Sequence, residues 1–365
     1  MKNNIFITKP FLPPLDEYIE YLEKIWESKH LTNNGPFHQQ FEKALSDYLG
    51  VKYLSLVNNA TIGLILAQKA LKFHGEIITT PYSFIATGHS IIWNGLEPVF
   101  VDTDNTVGNL DPERVEEAIN NKTGGILAVH NYGIPGEVEA LRKISEKYNL
   151  PLIYDAAPSI GVRYHGETIL KHGDLAVLSF HATKVFTTFE GGAIISRSAE
   201  LKNTVDSLKN FAIINPEKVS GLGINGKMNE AEAALGLLQL KYIDKNISKR
   251  KDIYELYINS LESINNIRIL TLPKFVKYNY GYFPVFFNEG IIIRDKIYNK
   301  LQENNIICRK YWYPLISDHD IYSSCKKNNL INSRKLSESI LALPIYADLE
   351  KDIIMQIINI IKTNI

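Results

Sequence analysis

One lysine in this chain lies in a polar loop between two apolar runs. The run LAVLSF (175–180) is typical of a buried strand, and the loop after it contains Lys184. The chain turns apolar again at Gly191 and Gly192, which permit a tight turn or the close approach of another backbone. A lysine held between buried strands can be partly desolvated, which makes its amine a candidate for Schiff-base chemistry. The alternative is an ordinary solvated lysine, because most lysines are exposed.

Two other places along the chain offer groups that bind phosphate. The segment NNAT (58–61) lies between a predicted strand and a predicted helix, where backbone N–H groups and the Thr61 hydroxyl can hold an anion. Ser179, just before the lysine loop, offers a second hydroxyl. The simpler interpretation of NNAT is that Asn59 or Thr61 only caps the helix.

An aromatic residue and a carboxylate also follow predicted strands. Phe84, in PYSFIAT (81–87), is placed to stack on a flat ring, although it can equally be a core aromatic. Asp155 ends the apolar run PLIYD (151–155), where an unpaired carboxylate is costly to bury. It can pair with a protonated ring nitrogen or act as a helix cap.

Together these residues are the parts that a pyridoxal phosphate enzyme needs. The lysine carries the aldehyde, the carboxylate keeps the pyridine nitrogen protonated, an aromatic ring stacks on one face, and a helix N-terminus with hydroxyls holds the phosphate. Their order along the chain is phosphate loop, stacking residue, aspartate, then serine and lysine.

The elements that must position these residues form a repeating strand and helix pattern. Seven apolar runs have strand length: 53–57, 76–80, 97–101, 125–130, 151–155, 175–180 and 192–196. Helical patterns at 61–73, 111–121 and 136–148 separate several of them. This alternation predicts an α/β fold with a mostly parallel seven-stranded sheet, which binds ligands beyond the carboxyl ends of its strands.

The pattern also predicts two domains. Residues 1–240 form a large α/β domain with an N-terminal arm, and residues 241–365 form a smaller α+β domain that contains the β-prone run YNYGYFPVFF (278–287). A helix from about Asn229 to Arg250, with Glu232 completing a capping box, is predicted to bridge the two.

Composition excludes several kinds of partner. The 40 basic and 40 acidic residues balance, so no global field attracts nucleic acid or an anionic membrane. No signal peptide or membrane span is evident. Cys308 and Cys325 have neither zinc nor redox spacing, so we expect free thiols in the cytoplasm and no metal site.

The motifs in sequence resemble those of the DegT/DnrJ/EryC1/StrS sugar aminotransferases, which have the pyridoxal phosphate fold type I of aspartate aminotransferase. The resemblance covers nearly the whole chain, through LTNNGPF, NNAT, PYSFIATGHSIIWNGLEPVFVDTD, NLDP, VHNYGIP, YDAAPSIG, SFHATK, FEGGA and GINGKMNEAEAALGLLQL. It implies that Lys184 bonds to the cofactor and Asp155 pairs with its ring. It implies further cofactor contacts from Ala60, Thr61, Phe84, Ser179 and, across a homodimer with shared active sites, Asn225.

One position departs from the family pattern. Relatives usually have His or Gln three residues after the aspartate, where this chain has Pro158. Proline offers no side-chain hydrogen-bond donor to the cofactor ring, so the protein must tune the electronic properties of the ring differently at this position. The functions of Lys184 and Asp155 remain.

The resemblance also implies a reaction. Glutamate gives its amino group to the cofactor, forming pyridoxamine phosphate, and a nucleotide-linked keto sugar receives it. NNAT, SFHATK with FEGG, and the GINGKMNE helix are most similar to enzymes that convert dTDP-4-keto-6-deoxyglucose to dTDP-4-amino-4,6-dideoxyglucose, a step of deoxyamino sugar and lipopolysaccharide O-antigen synthesis. C3-aminating relatives share most of these motifs, so that alternative stays open. A dehydrating branch with histidine in place of the lysine is disfavoured by Lys184.

Two further alternatives belong to other classes of protein. A non-catalytic nucleotide-sugar-binding or regulatory homologue is disfavoured by the intact Lys184 and Asp155 pair. An enzyme acting on a plain amino acid would need an arginine clamp for the carboxylate, and Arg309 is the candidate.

The stretch RKYWYPLISDH (309–319) is the candidate for the sugar-nucleotide side of the site. It interleaves basic and aromatic residues, and tyrosine suits both a sugar face and a phosphate oxygen. We expect Tyr311 and Tyr313, with Asn33, Asn34 and His181, to contact the substrate. Packing of the small domain is the alternative.

Overall fold

The computed structural model describes residues 4–365, so the first three residues of the predicted arm lie outside the described part. The helices are α1 (Leu15–Ser28), α2 (Pro36–Leu49), α3 (Ala60–Ala70), α4 (Ile85–Trp93), α5 (Pro112–Ala118), α6 (Val138–Tyr148), α7 (Ala199–Leu208), α8 (Glu230–Leu240), α9 (Ile243–Leu261), α10 (Ile291–Glu303), α11 (Ile331–Ser339) and α12 (Lys351–Asn364). Across residues 4–365, every helix is too short or too polar to cross a bilayer.

The seven predicted strands form one sheet. They are β1 (Tyr53–Val57), β2 (Glu76–Thr79), β3 (Glu97–Phe100), β4 (Thr123–Val129), β5 (Leu152–Asp155), β6 (Leu175–Ser179) and β7 (Gly192–Ser196), in the spatial order β1-β7-β6-β5-β4-β2-β3. The β6-β5-β4-β2-β3 pairs are parallel, and β7 is antiparallel to both of its neighbours. The predicted mostly parallel sheet is confirmed.

Alternate residues of these strands enter two cores on opposite faces of the sheet. Leu178 and Leu56 belong to one hydrophobic cluster, whereas Val177 and Val57 belong to the other. Because side chains alternate along a strand, a strand covered on both faces must be apolar at every position. This explains why the sequence shows continuous apolar runs rather than alternating ones.

A second, three-stranded antiparallel sheet lies in the C-terminal part. It contains β8 (Ile267–Ile269), β9 (Phe283–Phe287) and β10 (Ile340–Leu343), with β9 in the centre. Short paired strands occur at Ile5–Phe6 with Ile306–Ile307, Arg163–Tyr164 with Glu167–Thr168 and Val276–Lys277, and Ile213–Asn215 with Lys218–Val219. The arm therefore pairs with the C-terminal part of the chain.

The predicted bridging helix is wrong in one respect. Its capping box is present, with Asn229 and Glu232 bonded reciprocally, but α8 ends at Leu240 and α9 begins at Ile243. No glycine or proline lies at this break. The Tyr242 ring packs 5.5 Å from Phe11 and its hydroxyl bonds to Glu17, so contacts with the N-terminal segment accompany the break. The domain boundary at 240 and 241 falls at this point and stays a prediction.

Candidate active site

A cavity of about 270 Å³ lies at the carboxyl ends of the parallel strands. Asp155 ends β5 and Ser179 ends β6, and both side chains line this main cavity. Eight of the residues predicted from the sequence line it: Ala60, Thr61, Phe84, Asp155, Ser179, His181, Lys184 and Tyr311. The chain order of the motifs thus becomes a single spatial cluster.

Asp155 is a buried carboxylate, with 6% of the residue exposed. Its Oδ2 accepts a hydrogen bond of 2.7 Å from the Thr87 hydroxyl, and its Oδ1 accepts one of 3.2 Å from the Ala157 amide. Burial raises the pKa of Asp155 above its ordinary value, although Thr87, Ala157 and the positive charge of Lys184 act in the opposite direction. No helix begins at Asp155, so the helix-cap interpretation is wrong.

Lys184 lies in a loop whose base is closed by backbone bonds. Phe180 donates its amide to Gly191 at 2.9 Å, and Lys184 donates its own amide to the His181 carbonyl at 2.9 Å. The Lys184 Nζ donates to the Tyr282 hydroxyl at 3.0 Å. The lysine side chain is half-buried and lines the cavity.

The first turn of α3 lines one part of the cavity with Asn59, Ala60 and Thr61. Asn59 caps the helix by accepting from the Ile62 amide at 2.9 Å, which leaves the amides of Ala60 and Thr61 free of intrahelical partners. A side chain at Gly192 would meet the Ala60 nitrogen at 3.1 Å, so glycine permits this close approach. Capping and anion binding are therefore compatible. The Asn59 side chain bonds to the Ile62 amide, whereas the amides of Ala60 and Thr61 can bind an anion.

Aromatic side chains also line the cavity. Phe84 is the N-cap residue of α4 and is 56% exposed, so it is not a core aromatic. Its ring centroid lies 5.8 Å from that of Trp312. The Trp312 Nε1 donates to Asn131 Oδ1 at 3.1 Å, which fixes the indole ring against the loop after β4.

The backbone of the 309–313 stretch is held by two buried tyrosines. The Tyr132 hydroxyl donates to the Tyr311 carbonyl at 2.6 Å, and the Tyr82 hydroxyl lies 2.6 Å from the Tyr132 hydroxyl and 3.1 Å from the same carbonyl. Because the stretch is anchored by hydrogen bonds to residues that follow β2 and β4, its position over the cavity is well defined.

Four predicted site residues do not line the main cavity. Asn33 and Asn34 are exposed in the turn before α2, and Asn225 is exposed in the loop before α8. Tyr313 lines a neighbouring cleft instead, which shares Phe84, Tyr311 and Trp312 with the main cavity and also contains Arg309 and Lys310.

The arrangement fits pyridoxal phosphate. An amine and a buried carboxylate lie in one cavity, helix amides without intrahelical partners lie at its wall, where they can hold a phosphate, and the aromatic Phe84 also lines it. Pro158 also lines the cavity, and its carbonyl accepts from Asn279 Nδ2 at 2.7 Å. The position of the usual His or Gln is thus taken by a residue that is held by its backbone.

Comparison with known proteins identifies the family. Residues 15–362 match the DegT/DnrJ/EryC1/StrS aminotransferase family. The chain belongs to this family.

Three relatives of this DegT/DnrJ/EryC1/StrS aminotransferase are informative. The chain is 47% identical over 365 residues to a dTDP-4-amino-4,6-dideoxy-D-glucose transaminase of Shigella dysenteriae, covering 99% of both chains. It is 47% identical over 362 residues to a transaminase of the same name from Escherichia coli, covering 97% of both. The solved structure of DesI with its TDP-sugar product is 30% identical, with a TM-score of 0.94, over 100% of this chain and 93% of that one.

Sequence reasoning missed three residues at the site: Thr87, Tyr282 and Trp312. Thr87 lies three residues after Phe84, a spacing that puts the two near each other on the first turn of α4. Trp312 lies within the stretch already proposed for substrate. Tyr282 belongs to the run 278–287, for which the sequence indicated only a strand.

Proposed function

We propose that this chain transfers an amino group from glutamate to C4 of dTDP-4-keto-6-deoxyglucose, forming dTDP-4-amino-4,6-dideoxyglucose with pyridoxal phosphate as cofactor. The single observation that carries the proposal is the cavity that contains both Lys184 and the buried Asp155. The names of the two relatives at 47% identity support the choice of sugar and of C4.

The residues of the chain divide the work of binding the cofactor. Asp155 would face the ring nitrogen, while the amides of Ala60 and Thr61 and the Ser179 hydroxyl would hold the phosphate. When bound, pyridoxal phosphate supplies an aldehyde that bonds amines and a ring that withdraws electrons, with pyridoxamine phosphate carrying the amino group between half-reactions. A negative charge at Asp155 favours the protonated ring nitrogen.

Lys184 would serve as both the attachment point and the proton carrier. Its Nζ lies at the cavity wall, where a free amine can take a proton from the substrate carbon and return it. A buried carboxylate and a half-buried amine in one cavity are the two groups that this chemistry requires.

The neighbouring cleft is suited to the nucleotide part of the substrate. Arg309 and Lys310 supply positive charge for a pyrophosphate, and Tyr311 and Tyr313 supply aromatic faces. Since the chain has no net charge, these local groups must provide the attraction. His181 lines the main cavity and would contact the sugar. Asn33 and Asn34 do not line the cavity of their own chain, so they would contact the sugar in the site of a partner chain.

A homodimer would complete the site. Asn225 is exposed and does not line the cavity of its own chain, which supports a role in the site of a partner chain. The adjoining hairpin also exposes apolar side chains that a partner would cover: Phe211, Ile213, Ile214, Val219 and Leu222. We place the reaction in the cytoplasm, where the free thiols of Cys308 and Cys325 would be stable.

The experiment that tests the proposal offers the purified protein glutamate and a panel of keto sugar nucleotides. The panel contains dTDP-4-keto-6-deoxyglucose, its UDP counterpart and a dTDP-3-keto-6-deoxyhexose, and NMR locates the new amine. Amination at C4 of the dTDP-4-keto sugar supports the proposal. Amination at C3 would establish the alternative reaction, and no amination of any sugar by cofactor-loaded protein would favour a non-catalytic role.

A further inference from the structure

The run YNYGYFPVFF (278–287) brings a hydroxyl to the reacting lysine. Tyr282 lies just before β9, in the C-terminal sheet, yet it lines the same cavity as Asp155. Its hydroxyl accepts a hydrogen bond of 3.0 Å from Lys184 Nζ. The two residues are 98 positions apart in sequence, so the contact is made by the packing of the two sheets.

Lys184 makes this contact without a competing acidic partner. Within residues 4–365, Nζ forms no ion pair, and Tyr282 is its hydrogen-bond partner. Asp155 and Lys184 interact through their charges within the cavity, but the Asp155 carboxylate accepts its hydrogen bonds from Thr87 and Ala157. The Tyr282 hydroxyl is therefore the side-chain group that the amine contacts by a hydrogen bond.

Tyr282 is itself held in place. Its ring packs against Tyr132 and Tyr311, with centroids 5.8 and 5.9 Å apart. Upstream, the fully buried Asn279 accepts from the Gly281 amide at 3.1 Å and donates to the Pro158 carbonyl at 2.7 Å. A side chain at Gly281 would come within 3.2 Å of Val185, the residue after the lysine, so glycine permits the close approach of the two segments.

The lysine loop is fixed from its other side as well. The Val185 carbonyl accepts from Asn246 Nδ2, on α9, at 3.0 Å. Both partners of the Lys184 and Tyr282 bond are thus anchored by buried amides, Asn246 on one side and Asn279 on the other. Such two-sided anchoring positions a reacting group more sharply than a flexible lysine alone.

We propose that Tyr282 is a positioning residue that holds the Lys184 amine at the cavity face whenever that amine is not bonded to the cofactor. This inference rests on the proposed aminotransferase function. A tyrosine hydroxyl can accept from an ammonium and donate to a neutral amine, so it partners Nζ both before and after Nζ takes a proton from the substrate carbon. Without it, the four-carbon side chain must find its position anew in each half-reaction.

The competing explanation is that Tyr282 only packs. Its ring contacts with Tyr132 and Tyr311 would then be its whole contribution. The substitution Tyr282→Phe separates the two explanations, because it keeps the ring and removes only the hydroxyl. Tyr280→Phe is the matched control: Tyr280 is two residues away, packs on Tyr254 and Tyr278, and lines a different cleft.

The first measurement uses cofactor-free protein. A small amine-directed acylating reagent is applied, and peptide mass spectrometry gives the labelling rate of Lys184 relative to exposed lysines. We expect Tyr282→Phe to raise the Lys184 rate by about two- to tenfold, the range that corresponds to one net hydrogen bond. Tyr280→Phe should leave the rate at the wild-type value.

The second measurement follows the glutamate half-reaction of loaded protein. Tyr282→Phe should slow it by about tenfold or more, with cofactor affinity and the apparent glutamate affinity within about twofold of wild type. The isotope effect with glutamate deuterated at Cα should increase, because proton transfer becomes slower than the other steps. Unchanged labelling together with an unchanged half-reaction would overturn the inference while leaving the proposed function intact. If wild-type protein shows no glutamate half-reaction, the proposed function fails instead, and the labelling result still reports on the contact.

Discussion

The Thr87 hydroxyl donates a hydrogen bond of 2.7 Å to Asp155 Oδ2, and both groups are buried. Ser83 Oγ lies 2.9 Å from Thr87 Oγ1, so a short chain of hydroxyls leads to the carboxylate. The Ala157 amide donates a hydrogen bond to the other carboxylate oxygen, Oδ1. These neutral donors orient Asp155 without neutralising it, which leaves its charge available to a protonated ring nitrogen.

The first prediction concerns the pH dependence of Asp155. Burial raises the pKa of this carboxyl in the folded protein, so the folded state keeps the proton to a higher pH than the unfolded state does. The stability that Asp155 contributes is thus present at acid pH and is lost as the pH rises through the folded pKa. The variant Asp155→Asn does not lose stability in this way, because an amide does not titrate. In cofactor-free protein, the unfolding temperature of wild type relative to Asp155→Asn should therefore fall as the pH rises above about 4, the ordinary pKa of an aspartate.

The same variant should bind cofactor but transfer amino groups about 100-fold more slowly, because a neutral amide does not favour the protonated ring. Thermal unfolding followed across the pH range checks the first part, and half-reaction kinetics check the second. A stability difference that does not change with pH, or rates equal to wild type, would show that the Asp155 charge has no such role.

The second prediction tests the shared site. Lys184→Ala and Asn225→Ala chains should each be inactive alone. If Asn225 completes the site of the partner chain, a mixed dimer contains one intact site, built from Lys184 of one chain and Asn225 of the other. After random exchange of equal amounts, about a quarter of wild-type activity should return. Exchange proven by mass spectrometry with no return of activity would mean that each site is built from a single chain.

The third prediction separates the two ends of the substrate site. Tyr311 lines both the main cavity and the neighbouring cleft, and burial raises the pKa of its hydroxyl to about 12, so it stays protonated as a donor. Tyr311→Phe should weaken the keto-sugar half-reaction by about tenfold, the effect of losing one hydrogen bond to a charged group, and spare the glutamate half-reaction. Single-turnover kinetics of each half give the answer.

Tyr148→Phe, on α6, is the control for Tyr311→Phe because its hydroxyl bonds to Glu116 on the surface. It should change neither half-reaction. Equal losses in both half-reactions of Tyr311→Phe, or a lower unfolding temperature with unchanged kinetics, would assign the stretch 309–319 to packing.

The sequence predicted those parts of the site that follow directly from strand ends. Asp155 and Ser179 each end an apolar run, and the carboxyl ends of parallel strands meet at one edge of a sheet. Lys184 lies in the loop after one of those runs, and Thr61 and Phe84 occur where a strand gives way to a helix. Local pattern was enough here because the sheet brings these positions together.

The missed features depend on packing between distant segments. Tyr282 reaches Lys184 only because Asn279 fixes its segment to the carbonyls of Pro158 and Ile160, and periodicity does not encode such a contact. The break between α8 and α9 has no sequence signal either, since it coincides with the contacts of Tyr242. The role of Asn225 depends on a second chain, which no property of one sequence can position.

We infer above all that Lys184 is the residue that bonds to pyridoxal phosphate. Borohydride reduction of the loaded protein makes that bond permanent, and peptide mass spectrometry then locates it. We predict that the added mass lies on the peptide containing Lys184, and that Lys184→Ala carries no added mass and transfers no amino group, whereas the surface control Lys143→Ala behaves as wild type. Added mass on a different lysine, or normal turnover by Lys184→Ala, would show that Lys184 is not the residue that bonds to the cofactor.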